Sequence, residues 1–166
     1  MVHSHACDHD HDAHGLTADA LARGLTAAAA RCEAAGQRMT PPRRRVLEML
    51  LRAGQPVKAY DLIAAFGEDG APAKPPTVYR ALDFLSKQGL AHRIESLNAF
   101  IACGGGGGGG GGEGHAAAFL ICDCCGATRE IAPSGVSEIE RLAGAQGFNL
   151  TSLMVEAHGL CQDCRS

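Results

Sequence analysis

Two Cys-x-x-Cys pairs, Cys122/Cys125 and Cys161/Cys164, restrict the possible folds of this chain more than any other feature. A two-residue spacer lets both sulfurs of a pair face one ion, so two such pairs make a tetrahedral four-sulfur zinc site. Between Cys125 and Cys161 lie 35 residues, more than a simple zinc ribbon contains. The fold must therefore carry the end of the chain back onto the strands that hold the first pair. Cys124 is an extra thiol inside that pair, and its side chain is expected to point away from a site formed by its neighbours. A redox dithiol is the competing reading, but two paired motifs are far more specific to structural zinc than one. Such an ion binds with about 10 kcal/mol or more, enough to hold a small domain together.

The N-terminus opens with His and Asp rather than a basic stretch and an apolar core, so a secretory signal is not expected. No run of about 18 apolar residues is present, so no membrane span is expected. The default location is cytoplasmic, where clustered Cys and His read as metal sites before disulfides. The net charge of −3 hides a division. Residues 1–15 carry −3, residues 16–97 carry +4 and residues 98–166 carry −4. A basic segment followed by an acidic one suggests two domains with different partners.

Residues 1–15 are polar and aperiodic, and read as a disordered His/Asp-rich tail. From Leu16 to Ala35 an Ala-rich helix is expected, with Leu16, Leu21 and Leu25 on one side and Gly36 as its stop. Thr40-Pro41 starts a second helix carrying Val46, Leu47, Leu50 and Leu51, ended by Gly54. Tyr60 to Phe66 forms a third. Thr77 is expected to cap a fourth, ended by Gly89, whose inner face is Val78, Leu82 and Leu85. A hairpin follows around Ser96-Leu97-Asn98. Helices followed by a hairpin are the order of a winged helix-turn-helix, placed at 16–97. Beyond it come strands at AAAFLIC and ATREI, a helix from Val136 to Ala145 with Val136, Ile139 and Leu142 on one face, and a final strand in NLTSLMVEAHG. The fold class is therefore α+β: an N-terminal winged helix-turn-helix domain and a small C-terminal α/β domain at 98–166 with a Gly-rich loop at 104–114.

His92, Cys103, His115 and Glu130 form a second, scattered set that no spacing rule gathers. Singly, each has an ordinary reading: a wing surface residue, a buried thiol, a loop residue and a solvated strand residue. The tail holds His3, His5, Cys7, His9, His11 and His14, which could bind zinc in exchanging arrangements or simply solubilise the chain. Cys32 falls in the first helix and reads as a buried thiol.

The stretches QRMTPPRRRVLEML, AYDLIAAF, AKPPTVYRALDFLSKQGLAHRIES, FLICDCCGATREI and EAHGLCQDC resemble the ferric uptake regulator family, and within it the zinc-responsive branch. The likeness runs from about residue 17 to 164, and KPPTVYRALDFL is its most specific part. It implies that His92, Cys103, His115 and Glu130 bind one sensory zinc, making two zinc ions per subunit with the structural one. Two imidazoles, a thiolate and a carboxylate make a closed four-coordinate site suited to sensing rather than hydrolysis. The thiolate favours zinc over iron or manganese. Iron-sensing relatives often add a His about eight residues before the distal Cys pair. Here that region reads Ser152-Leu153-Met154, and His158 is taken as structural.

The resemblance further implies a homodimer with a C-terminal dimerisation domain. It would be a zinc-responsive transcriptional repressor of zinc-uptake genes, not an enzyme, binding an AT-rich inverted repeat of double-stranded DNA. The helix starting at Thr77 would enter the major groove, with Tyr79 and Arg80 projecting. Arg donates to guanine O6 and N7. Arg43, Arg44, Arg45, Lys58, Lys74 and Lys87 are candidates for phosphate contacts. The alternatives are a sibling sensing another metal or peroxide, and a zinc storage or delivery protein. Finally, Gly104 to Gly112 is an unbroken run between Cys103 and His115. A chain of that composition has an r.m.s. span of ~19 Å. The run is expected to connect two ligands of one site at modest entropic cost.

Overall fold

Proline and glycine set most helix boundaries in this computed structural model, which describes residues 16–67, 74–103, 116–131, 136–151 and 153–165. Helix α1 spans Ala18–Ala34, and its N-cap Thr17 accepts a hydrogen bond from the Ala20 amide. Leu16 thus lies outside the helix and is 43% exposed, against the expectation that it joins Leu21 and Leu25. Gly36 follows at positive φ. Helix α2 spans Pro41–Ala53, with proline in its first turn and Gly54 in the left-handed conformation at its end. The Gly54 amide donates back to the Leu50 carbonyl.

A two-residue strand, β1 (Val57–Lys58), leads into α3 (Ala59–Phe66). Helix α4 spans Pro75–Lys87. Its N-cap is Lys74, not Thr77, because Pro75 and Pro76 supply helical φ angles and lack the amides a first turn leaves unbonded. The first amide the helix does carry, that of Thr77, donates to the Lys74 carbonyl at 2.8 Å. Strands β2 (Ala91–Ile94) and β3 (Ala99–Ala102) form the expected hairpin. Asn98 turns the chain at positive φ, a conformation Asn tolerates. Strand β1 adds to the far edge of β3, giving the order β1-β3-β2.

The core of this unit is one cluster. Leu21, Leu25, Ala28 and Cys32 of α1 meet Val46, Leu47 and Leu50 of α2, Leu62 of α3, and Val78, Leu82 and Leu85 of α4. The three α4 side chains are fully buried at the expected i, i+4, i+7 spacing. The unit ends at Cys103. The sequence boundary at residue 97 would have cut the hairpin. Pairing of β3 with both β1 and β2 keeps the two strands together.

The second unit carries β4 (Ala116–Cys122), β5 (Thr128–Ile131), α5 (Val136–Ala145), β6 (Leu153–Gly159) and a short 3-10 turn at Gln162–Cys164. Strand β4 is central, antiparallel to β5 and parallel to β6. Phe119 is fully buried, with Ala117, Ala118 and Ile121 around it in sequence. Ile139 and Leu142 of α5, expected on an inner face, are 41% and 52% exposed. Leu120, Phe148, Met154 and Leu160 are exposed as well. No helix among the described residues is long and apolar enough to cross a membrane.

Candidate metal and nucleic-acid sites

Parallel pairing of β4 with β6 explains how two distant Cys pairs meet. The register ends with Ile121 beside His158 and Cys122 beside Gly159. Both strands run the same way, so both chains leave the sheet at one end, each directly into a Cys pair. The Asp123 amide donates to the Gly159 carbonyl at 2.8 Å, extending the pairing into the first pair. Gly126, at positive φ, closes that turn, and its amide donates to the Cys122 carbonyl at 2.9 Å. The His158 ring Nδ1 lies 2.8 Å from an Asp123 carboxylate oxygen. His158 is thus held by a carboxylate. Asp123 was not foreseen, because only the register brings it to His158.

The result is a cluster of Cys122, Cys125, Cys161 and Cys164 whose sulfurs all lie within 4.8 Å of one another. Cys124 takes no part in it. Cys125 Sγ and Cys161 Sγ are 3.8 Å apart. A regular tetrahedron of Zn–S bonds of about 2.3 Å has edges of about 3.8 Å, so this pair of thiols stands at the separation a shared zinc requires. Their electrostatics point the same way. Backbone amides hold the Cys122 thiol down to about 6, that of Cys125 foremost and that of Cys161 next, against the opposing effect of burial. The Cys161 amide lies 3.3 Å from Cys122 Sγ. Burial pushes the Cys125 thiol up. Burial, and then the neighbouring thiols of Cys161 and Cys125, push Cys164 up. Ionisation of Cys122 is favoured and that of Cys125 and Cys164 is opposed, and a bound cation would offset that opposition.

Of the second predicted set, His92 and Cys103 come together in the first unit. In the β2/β3 register His92 faces Ile101, and the Cys103 amide donates to the Leu90 carbonyl at 3.0 Å, continuing the ladder. Ile101 of β3 and Cys103, just past its end, point to the same side, and His92 shares it across the hairpin. The ligand atoms of His92 and Cys103 lie within 4.8 Å. His92 is buried rather than a wing surface residue, and is 6% exposed. Glu130 stands half-buried on β5 of the second unit, opposite Phe119. His115 lies outside the described residues, as do the tail residues His3, His5, Cys7, His9, His11 and His14.

Helix α4 presents Tyr79, 53% exposed, and Arg80, also exposed, near its N-terminus. Thr77 is half-buried in the first turn and Lys74 is exposed at the cap. The cationic candidates differ in what they touch. Lys87 pairs with Asp83 at 2.8 Å, while Arg44 and Lys58 are exposed. Arg43 lies over the Phe84 ring, 3.4 Å from its centroid, and donates to the Arg38 carbonyl.

The fold agrees with known proteins. The model of the ferric uptake regulator family matches residues 34–158. The zinc uptake regulation protein of Escherichia coli strain K12 is 42% identical over 134 residues, which are 80% of this chain and 76% of that protein. The peroxide operon regulator of Bacillus subtilis strain 168 is 28% identical over 130 residues, covering 78% and 85% of the two chains. Among solved structures, a zinc uptake regulator complexed with zinc and DNA matches with a TM-score of 0.76 at 40% identity, covering 87% of this chain and 95% of that one. The crystal structure of holo XcZur matches with a TM-score of 0.73 at 41% identity, covering 85% and 96%. With its winged-helix unit, its four-cysteine cluster and this agreement along most of its length, the chain belongs to the ferric uptake regulator family.

Proposed function

We propose that this protein is a zinc-responsive, DNA-binding repressor of zinc-uptake genes. The observation that carries the reading is Cys103 beside His92 in the unit that bears the DNA-reading helix. A thiolate joined to an imidazole suits zinc, whereas iron and manganese prefer harder ligand sets. Its similarity to zinc uptake regulators at 40% identity or more, one of them complexed with zinc and DNA, supports the same metal and the same partner.

In this reading each subunit takes two zinc ions. Cys122, Cys125, Cys161 and Cys164 hold a structural ion, which adds folding free energy to a unit with a small core. His92, Cys103, His115 and Glu130 hold the regulatory ion. His92 and Cys103 belong to the first unit and Glu130 to the second, so binding by all four favours a restricted set of orientations of the DNA-reading unit. Zinc then shifts the population towards the DNA-competent form, to the extent that its affinity for that form is greater. Linkage requires DNA to tighten zinc binding by the same factor.

The protein acts as a homodimer. The second unit leaves apolar side chains exposed, Ile139, Leu142, Leu120 and Phe148 among them, which a second subunit would cover. Two copies of α4 read the two halves of an AT-rich inverted repeat in the cytoplasm. Tyr79 and Arg80 meet base edges, Thr77 supports the first turn at the groove, and Lys74 meets phosphate.

The test is DNA binding at buffered free metal, with bound metal counted per chain. Zinc alone, at two ions per chain, is expected to switch on binding to a selected duplex. Equal activation by iron or manganese would overturn the metal assignment. Tight zinc binding with no sequence-selective DNA binding would point instead to storage or delivery.

A further inference from the structure

We infer that Arg31 and Arg43 are positioning residues that clamp the C-terminal half of the recognition helix, and that Arg43 is not a phosphate contact. The inference rests on the proposed reading of DNA by α4. Two guanidinium groups reach that half of the helix from two other helices. Arg31, in the last turn of α1, donates through Nη2 to the Gln88 carbonyl at 3.2 Å. Gln88 is the C-cap of α4. A helix end leaves its last carbonyls unbonded and carries partial negative charge, so a cationic donor is suited to that place. Arg43, in the first turns of α2, stacks on Phe84 of α4 at 3.4 Å from the ring centroid. Phe84 is only 8% exposed, so the stack fixes a side chain that is itself held by packing. Arg43 also donates to the Arg38 carbonyl in the turn before α2. Its planar fork is therefore used on both sides by the protein, which leaves it poorly placed to follow a phosphate.

The clamp matters because of leverage. Tyr79 lies nine residues before Gln88, or about 14 Å along the helix at 1.5 Å per residue. A tilt of about 10° at the clamped end moves Tyr79 and Arg80 by about 2 Å, more than base-edge hydrogen bonds tolerate. Contacts to bases should therefore suffer most when the clamp is lost. Phosphate contacts made by long, mobile Lys side chains should suffer least.

The test uses the full-length, zinc-loaded protein and two duplexes. One is the duplex that the wild-type protein enriches most strongly from a random-sequence pool, the other a scrambled duplex of the same length. Arg31→Ala and Arg43→Ala are expected to lower affinity for the selected duplex about tenfold, comparable to loss of one bidentate base contact. Affinity for the scrambled duplex and the salt slope are expected to stay unchanged. Arg43→Gln, uncharged but planar and able to donate, is expected to recover most of the loss. Circular dichroism melts identify any variant that has simply unfolded, and Arg31→Ala, which removes a surface group, keeps the test open if Arg43→Ala does not fold. A salt slope lowered by about 0.9 for Arg43→Ala, with recovery by Arg43→Lys and not by Gln, would mark a phosphate contact and overturn the inference. Equal losses on both duplexes would overturn it too. A wild-type protein that enriches no sequence would instead sink the DNA-binding reading, and the clamp's purpose with it.

Discussion

Cys32 and Cys122 are both buried, yet they do opposite things. Cys32 is fully enclosed in the helical core, and burial pushes its thiol up, so it remains neutral and inert. Cys122 is held down to about 6 by amide donors and stands among three other thiols. Cys32→Ala should leave the zinc count unchanged and cost about 1 kcal/mol, read from a thermal melt. Cys161→Ser should abolish tightly held zinc and unfold the second unit, since it removes a share of a binding term of about 10 kcal/mol. A variant that keeps its zinc and its far-ultraviolet circular dichroism would refute the structural role. The four cysteines were legible because a knuckle is a local spacing rule. The pairing of His92 with Cys103 was not, since a hairpin register decides it; only the family resemblance suggested it beforehand. Asp123, the partner of His158, had no sequence signal at all, because parallel β4/β6 pairing creates the contact.

Helix α4 shows both what a pattern reveals and what it hides. Val78, Leu82 and Leu85 were legible as its buried stripe from period alone. Its cap lies three residues before the one the sequence suggests, because Thr77 resembles a hydroxyl cap while Pro75-Pro76 have already begun the helix. The same face argument failed for α5. Ile139 and Leu142 have helical spacing but stay exposed, since a periodic stripe does not say which surface will cover it. Strand β1 was missed because two residues are too few for any period. On α4 the division of labour gives a paired prediction. Replacing Arg80 with Ala should relax base preference at one position by about 1–3 kcal/mol, measured by selection from a random pool. Lys74→Ala should weaken all duplexes alike and reduce the salt slope by about 1. If both variants lose affinity without any change of preferred sequence, Arg80 does not read bases.

For the molecule as a whole, the opposed charges of residues 16–97 and 98–166 gave the two-unit plan, although the border falls after Cys103 rather than within the hairpin. That shift has a consequence for the sensor. Cys103 becomes the last residue of the DNA-reading unit, and the glycine run Gly104–Gly112 is the covalent link from it towards His115. If both ends of the link bind one zinc, zinc binding closes a loop. The closure cost grows only as (3/2)RT ln n. Shortening the nine glycines to about five reduces the span between the two ligands from 12 bonds to about eight, and lowers that cost by about 0.4 kcal/mol. The expected outcome is tighter zinc sensing by about twofold, read as the free-zinc midpoint for DNA binding, with full repression at saturating zinc. A shift of more than about tenfold would mean that the run contributes contacts of its own rather than closure entropy alone. No shift at all would mean that Cys103 and His115 are not ligands of the same ion, and the four-residue regulatory site would have to be redrawn around His92 and Cys103.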